Sequence, residues 1–232
     1  MEVRYAADLE PVLRGLTFSI KAQEKVGIVG RTGSGKSTMA LSFFRFVEAT
    51  KGSIIIDGID IKDLGTEDLR SNLTIIPQDP TLFSGTLRSN MDPFNQFEDE
   101  DIFVALRRVH LLPQESATSR ANTVTSDATL EAANSNAFRD LNTPVTEGGK
   151  NFSQGQRQLL CLARALLKRS RIVLMDEATA SVDFETDKAI QKTISVEFAD
   201  STILCIAHRL HTVIEYDRIL VLDKGNIVEF DR

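Results

Sequence analysis

Nine residues, Gly30-Arg31-Thr32-Gly33-Ser34-Gly35-Lys36-Ser37-Thr38, carry the pattern G-x-x-x-x-G-K-[ST]. Glycines at these spacings let backbone N–H groups turn inward on phosphate oxygens. A helix that follows aims the positive end of its dipole at the same place. In such a loop Lys36 reaches the β- and γ-phosphates, and the Ser37 hydroxyl serves Mg²⁺. Phosphoryl transfer to water also needs a metal site, a positioned water and charge stabilisation. Asp176 follows the apolar run Ile172-Val173-Leu174-Met175 and suits Mg²⁺ through a coordinated water. Glu177, next in line, can reach past the γ-phosphate as general base for water. Gln78 carries both a donor and an acceptor and can join Mg²⁺ to that water, and His208 can hydrogen-bond the γ-phosphate. A lone Gln or His usually has a structural explanation. These two gain weight because each follows a strand in a chain that already holds a phosphate loop.

The elements that must position these groups read as follows. Val26 to Val29 is a buried strand leading into the loop, and Met39 to Phe44 a helix leading out. Short strands are expected at Val3-Arg4-Tyr5 and from Leu13 to Ile20, then at Lys51 to Ile56 before an Asp57-Gly58 turn, and at Leu73 to Ile76 before Pro77. From Thr86 to about Leu112 the pattern is helical, with Ile102, Ala105, Leu106 and Val109 on one face. Ser153 and Gln156 form a capping box in front of a helix striped with Leu159, Leu160, Ala163, Leu166 and Leu167. A helix from Thr186 to Phe198 leads to a strand at Thr202 to Ile206, and strands at Ile219 to Leu222 and Ile227 to Glu229 follow. Alternating strands and helices imply an α/β sheet with parallel pairs, and ligands collect at the carboxyl ends of such strands. Gly30, Gln78, Asp176 and His208 all lie just past strand ends, so four distant segments should converge on one nucleotide.

Residues 114–147 differ from the rest. Ser, Thr, Asn and Ala dominate there, which suggests an inserted and mostly disordered loop with room for a short helix near Leu130 to Leu141. Length and composition are otherwise those of a soluble globular domain: 232 residues, 26% charged, 42% hydrophobic. The net charge of −6 gives no reason to expect a nucleic-acid partner. The basic run Lys168 to Arg171 suits a helix end and the acidic run Glu98 to Asp101 a helix start. Cys161 and Cys205 sit in apolar stretches and read as core residues of a reducing compartment. No apolar run approaches the roughly 18 residues that cross a bilayer. The chain opens and closes near strand-like segments, as a domain excised from a longer polypeptide would.

The order of these features resembles the ATPase domain of ATP-binding cassette (ABC) transporters over nearly the whole chain. Residues 30–38 look like Walker A, Ile172 to Asp176 like Walker B, Gln78 like the Q-loop, Ser181-Val182-Asp183 like the D-loop and His208 like the switch histidine. Tyr5 falls where the family places an aromatic that stacks on adenine. Phe152-Ser153-Gln154-Gly155-Gln156 falls at the signature, usually Leu-Ser-Gly-Gly-Gln. The resemblance implies a P-loop NTPase (RecA-like) core with a mainly parallel sheet, an antiparallel β subdomain and an α-helical signature subdomain. Its boundaries would be 1–77 and 158–232 for the core and 78–157 for the helical part. Gly30, Thr32, Gly33, Ser34, Gly35, Lys36, Ser37 and Thr38 would hold ATP. Ser153, Gly155, Gln156 and Asp183 would serve the nucleotide sandwiched against a sister domain. Mg²⁺ would sit near Ser37, Gln78 and Asp176.

The wording of Gly30 to Lys36, Ile76-Pro77-Gln78-Asp79-Pro80 and Gly155-Gln156-Arg157-Gln158 is similar to the second nucleotide-binding domain of C-subfamily, multidrug-resistance-associated exporters. The polar insert looks fungal, of the vacuolar bile-acid permease type. That implies ATP and Mg²⁺ as cofactors, transmembrane domains and a sister nucleotide-binding domain as partners, and a place on the cytoplasmic face of a membrane, the vacuolar one for that type. Thr146-Glu147-Gly148-Gly149-Lys150 resembles the exporter segment that touches intracellular helices of the membrane domains. Gln154 in place of glycine and Phe152 in place of leucine depart from the family signature, which puts in doubt the site that uses it. Three alternatives remain open at this stage: a soluble ABC ATPase acting on nucleic acid or ribosomes, a nucleotide-gated regulatory module with little turnover, and a P-loop kinase.

Overall fold

The computed structural model describes residues 1–113, 136–176, 184–207 and 213–231. In chain order, β1 is Glu2–Val3, β2 Leu13–Arg14 and β3 Lys25–Gly30, followed by α1 at Lys36–Phe43. Next come β4 at Ala49–Lys51, β5 at Ile55–Ile56, β6 at Ile59–Asp60, α2 at Thr66–Asn72 and β7 at Leu73–Ile76. Then β8 spans Gly85–Thr86, α3 Leu87–Met91, α4 Asp99–Arg108, β9 Pro144–Val145 and α5 Gln154–Lys168. The chain continues with β10 at Ile172–Asp176, α6 at Phe184–Glu197, β11 at Thr202–Ile206, β12 at Arg218–Asp223 and β13 at Asn226–Asp231.

Two compact units emerge. The first holds residues 1–78, 170–180 and 194–232; the second holds 79–169 and 181–193. The expected boundary at 157/158 would cut α5 just after its capping box, whereas the whole of α5 belongs to the second unit.

The first unit is built on a six-stranded sheet ordered β13-β12-β3-β11-β10-β7. β12, β3, β11, β10 and β7 run parallel, and β13 is an antiparallel edge. Val26, Ile28, Val173, Leu174, Leu204 and Ile206 are buried, as parallel strands covered on both faces require. A smaller antiparallel sheet, β2-β1-β4, and a β5-β6 hairpin complete it. The strand expected from Leu13 to Ile20 is only Leu13–Arg14, because Gly15 turns the backbone to φ +80. Similarly, β1 ends at Val3 and leaves Tyr5 in a bend.

In the second unit, the helical pattern expected from Thr86 to Leu112 is two helices. Pro93 disfavours helical geometry at Asp92, where α3 has already stopped. The Asp92 carboxylate then accepts from the N–H groups of Gln96 (3.0 Å) and Phe97 (2.9 Å), shaping the gap before α4. Asp99, Glu100 and Asp101 fill the first turn of α4, as the helix dipole favours. Residues 114–135 lie outside the described residues; residues 136–147 are packed, contrary to the expectation of a loop reaching 147. Phe138, Leu141 and Val145 are buried, Phe138 stacks on Phe152 at 5.3 Å, and β9 pairs with β8. Three apolar anchors suffice where composition alone suggests none. Of the short helix expected at 130–141, only a 3-10 turn at Ala137–Arg139 lies among the described residues.

Candidate functional site

β3 ends at Gly30, and the chain returns as α1 from Lys36. Between them Gly33 (φ 79) and Gly35 (φ 106) adopt left-handed backbone, which only glycine takes without strain. α1 has no side-chain cap at its N-terminus and no acidic residue in its first turn. Its leading N–H groups and the positive end of its dipole are thus left to an external anion. Lys36 is 6% exposed, and its ammonium donates to the carbonyls of Gly30 (2.7 Å) and Arg31 (3.2 Å). Its hydrogen-bond partners among the described residues are therefore neutral, and a desolvated cation so placed attracts an anion. Ser37 is exposed. Thr38 is buried, and its hydroxyl meets the Tyr5 hydroxyl at 3.0 Å. That bond brings a half-exposed aromatic ring, 33 residues away in sequence, to the loop.

The parallel register sets the remaining groups along one sheet edge. Met175 pairs with Ile76, so Asp176 and Gln78 leave neighbouring strands at nearly the same level. Ile206 pairs with both Asp176 and Ile28, which puts the end of β11 between the loop and Asp176. Three of the four converging segments thus lie at the carboxyl edge. Glu177, Asp183 and His208 lie outside the described residues. Ser37, Gln78 and Asp176 would offer hydroxyl, amide and carboxylate oxygens, a donor set that fits Mg²⁺ rather than a soft transition metal.

In the second unit the signature residues open α5. The Gln156 N–H donates to the Ser153 hydroxyl (3.1 Å), and the Ser153 N–H donates to the Gln156 side chain (2.9 Å). This is the capping box expected from the sequence. The fold, loop and capped helix together match a known family: a model described as "ABC transporter" fits residues 13–180.

This chain belongs to the ABC transporter family.

ABC transporter 7 of Pyricularia oryzae is 56% identical over 231 residues, covering 97% of this chain. The ATP-dependent bile acid permease of Saccharomyces cerevisiae is 52% identical over the whole chain, and a rat ATP-binding cassette sub-family C member 3 is 53% identical over 99% of it. The chain spans only 14% of the length of each of these relatives. A bacterial Atm1-family ABC exporter solved with ATP bound superimposes with a TM-score of 0.83 at 33% identity, covering 99% of this chain and 37% of that one. The chain is thus an ABC nucleotide-binding domain, homologous to C-subfamily transporters, and the kinase alternative is set aside.

The ABC signature departs from glycine at Gln154, and here geometry adds what spacing could not. The Gln154 side-chain oxygen accepts from Arg157, whose other terminal nitrogen donates to the Gly148 carbonyl at 3.0 Å. Arg157 lies within the Gly155-Gln156-Arg157-Gln158 wording, but that wording does not give its bond, which depends on which way the Gln154 side chain folds. Cys161 and Cys205 are both free and buried, as their apolar context suggests. Burial pushes the Cys205 thiol up to about 12; a bond with Tyr216 opposes this, and the charge of Asp176 adds to it.

Proposed function

We propose that this domain binds Mg-ATP on residues 30–38, closes it against the signature of a sister nucleotide-binding domain and hydrolyses it to drive export of a substrate across a membrane. The observation that carries this reading is the buried Lys36 ammonium beside an uncapped helix N-terminus, bonded to two neutral carbonyls. Peptide N–H groups of the loop and Lys36 hold the phosphates, and Tyr5 stacks on the base. Asp176, Ser37 and Gln78 hold Mg²⁺, which neutralises charge on the phosphate oxygens when bound. Glu177 takes the proton of the attacking water, and His208 hydrogen-bonds the γ-phosphate. Ser153, Gly155, Gln156 and Asp183 serve the nucleotide shared with the sister domain.

The pair of sites is asymmetric in this reading. This domain supplies the Walker half of the competent site, and Gln154 marks the signature used by the other. The turn at Glu147–Gly149 touches intracellular helices of the transmembrane domains. The Arg157 bond to Gly148, which ties this turn to the signature helix, supports that coupling. The 56% identity to ABC transporter 7 of Pyricularia oryzae supports a fungal transporter, with this domain on the cytoplasmic face of its membrane, the vacuolar one by the resemblance of the polar insert.

The test is Mg-ATP hydrolysis by this domain mixed with its sister domain, comparing wild type with Glu177→Gln, and repeated in the full-length transporter. Turnover in wild type that is lost in the variant is the expected result. Steady-state hydrolysis left intact by Glu177→Gln in the full-length protein refutes the assignment. Cross-links from positions near Glu147 to the membrane domains should form; their absence in every nucleotide state refutes the coupling.

A further inference from the structure

The strands β12 and β13 are joined by a two-residue turn, Lys224-Gly225, with φ +46 and +81. Peptide groups at such a turn ordinarily face water. Here both polar groups of Gly225 are taken. Its N–H donates to the Ser34 carbonyl at 3.0 Å, inside the phosphate loop, and its carbonyl accepts from the Arg14 N–H at 2.8 Å, on β2. We infer that Gly225 is a positioning residue for nucleotide binding, holding the Ser34–Gly35 peptide of the phosphate loop from behind. This rests on the reading that residues 30–38 bind nucleotide phosphates.

The argument is one of peptide geometry. A trans peptide is planar, with its C=O and N–H pointing in opposite directions. Fixing the Ser34 carbonyl on the hairpin turns the Gly35 N–H away from the hairpin, toward the open side of the loop. Without that bond the unit is free to rotate, because Gly35 has no side chain and lies at φ +106. The back of the loop is tightly packed as well. A Cβ on Gly35 would stand 2.6 Å from a Leu13 methyl, and one on Gly225 would stand 2.1 Å from the Val12 carbonyl. Val12 cannot retreat easily: its N–H is bonded to the Val3 carbonyl at 2.9 Å, and Leu13 next to it is fully buried. An alanine at 225 must therefore push the turn off Ser34.

The same unit contains a matched control. Asp57-Gly58 joins β5 to β6 with φ +50 and +84, nearly the same turn, and nothing lies within 4 Å of a Cβ built on Gly58. Gly58→Ala imposes the positive-φ strain alone; Gly225→Ala imposes that strain and displaces the contact with the loop. Titrating wild type and both variants with Mg-ATP separates the two effects. Both variants should melt earlier than wild type. Gly58→Ala should keep its Kd within about twofold of wild type, whereas Gly225→Ala should weaken binding at least about tenfold. A folded Gly225→Ala chain that binds within twofold of wild type overturns the inference. Hydrogen exchange on ¹⁵N-glycine-labelled wild type gives a readout that needs no variant to fold. The Gly225 amide should be protected in the nucleotide-free chain and the Gly58 amide should exchange quickly. Equal rates for the two overturn the inference. A wild-type chain that fails to bind Mg-ATP counts against the nucleotide reading instead, and the exchange comparison still tests the contact.

Discussion

Replacing Gln154 by glycine restores the third residue of the family signature, and its effect on stability follows from the contacts. Gln154 is the first residue of α5, half-buried, and its side-chain oxygen accepts from Arg157. Arg157 also holds the Gly148 carbonyl, and its stem lies over Gly149. Glycine at 154 removes the acceptor and leaves the guanidinium with one partner fewer. A hydrogen bond from a charged group is worth about 1.5–3 kcal/mol when buried, and about 1 kcal/mol at this half-exposed position. Glycine in a first helical turn adds about 0.5 kcal/mol of backbone entropy. The sum is about 1.5 kcal/mol, or roughly 3–6 °C in melting temperature for a domain of this size. Gln154→Met keeps the length of the side chain and removes only the acceptor, so it should lose about two-thirds of that. Arg157→Ala in the Gln154→Gly background should show a coupling of about 1 kcal/mol relative to the single variants. Calorimetric melting of wild type, the three single variants and the double variant decides the matter. Additive losses, or a Gln154→Met variant that melts like wild type, would mean that the Gln154 side chain does not hold Arg157.

Lys36→Met should leave the nucleotide-free fold within about 1 kcal/mol of wild type and weaken Mg-ATP binding roughly 10- to 150-fold, the worth of one charge-assisted contact to phosphate; equilibrium titration measures it, and unchanged affinity would remove Lys36 from the site. Tyr5→Phe loses the bond to the buried Thr38 hydroxyl and should lower the nucleotide-free melting temperature by about 1–6 °C while keeping the ring. An unchanged melting temperature would show that the hydroxyl contributes nothing. Cys205 titrates at about 12 in the fold against an ordinary 9.0. Its raised value means the unfolded chain releases this proton first as pH rises. The stability it contributes is complete below about pH 9 and is lost between there and about pH 12. Cys205→Ala should make the alkaline decline of stability shallower in that window, as denaturant titrations at a series of pH values would register.

What the sequence made legible was local. The loop pattern works because Gly33 and Gly35 must adopt positive φ, and the box works because Ser153 and Gln156 meet one turn apart; both are properties of a few consecutive residues. Groups at strand ends were legible for a related reason, since parallel register carries Asp176 and Gln78 to one edge whatever the connecting segments do. Features that depend on distant partners were hidden. The buried positions Phe138, Leu141 and Val145 are diluted in a polar stretch, and their role appears only when Phe152 and β8 come alongside. The break at Asp92 was written as a proline, but the amphipathic pattern continuing beyond it outweighed that one residue. Gln154 was visible as a departure from glycine, while the direction of its side chain was not.

The two helix N-termini differ in a way that bears on the order of events. α1 opens with no side-chain cap, so its leading N–H groups face an anion beside the Lys36 ammonium, two of whose three donors are taken by the Gly30 and Arg31 carbonyls. α5 opens with its box closed: the Ser153 hydroxyl already accepts from Gln156, and Gln156 already accepts from Ser153. What α5 retains for a neighbour's phosphate is the N–H groups of Gln154 and Gly155, the hydroxyl proton of Ser153 and the dipole behind them. A site with its ammonium and glycine loop on one domain and a capped helix end on the other should fill from the first and close with the second. Nucleotide would therefore bind the loop half before any sandwich forms, and closure would add modest affinity per domain. Association of isolated domains should then be weak and depend on the effective concentration that tethering to membrane domains supplies.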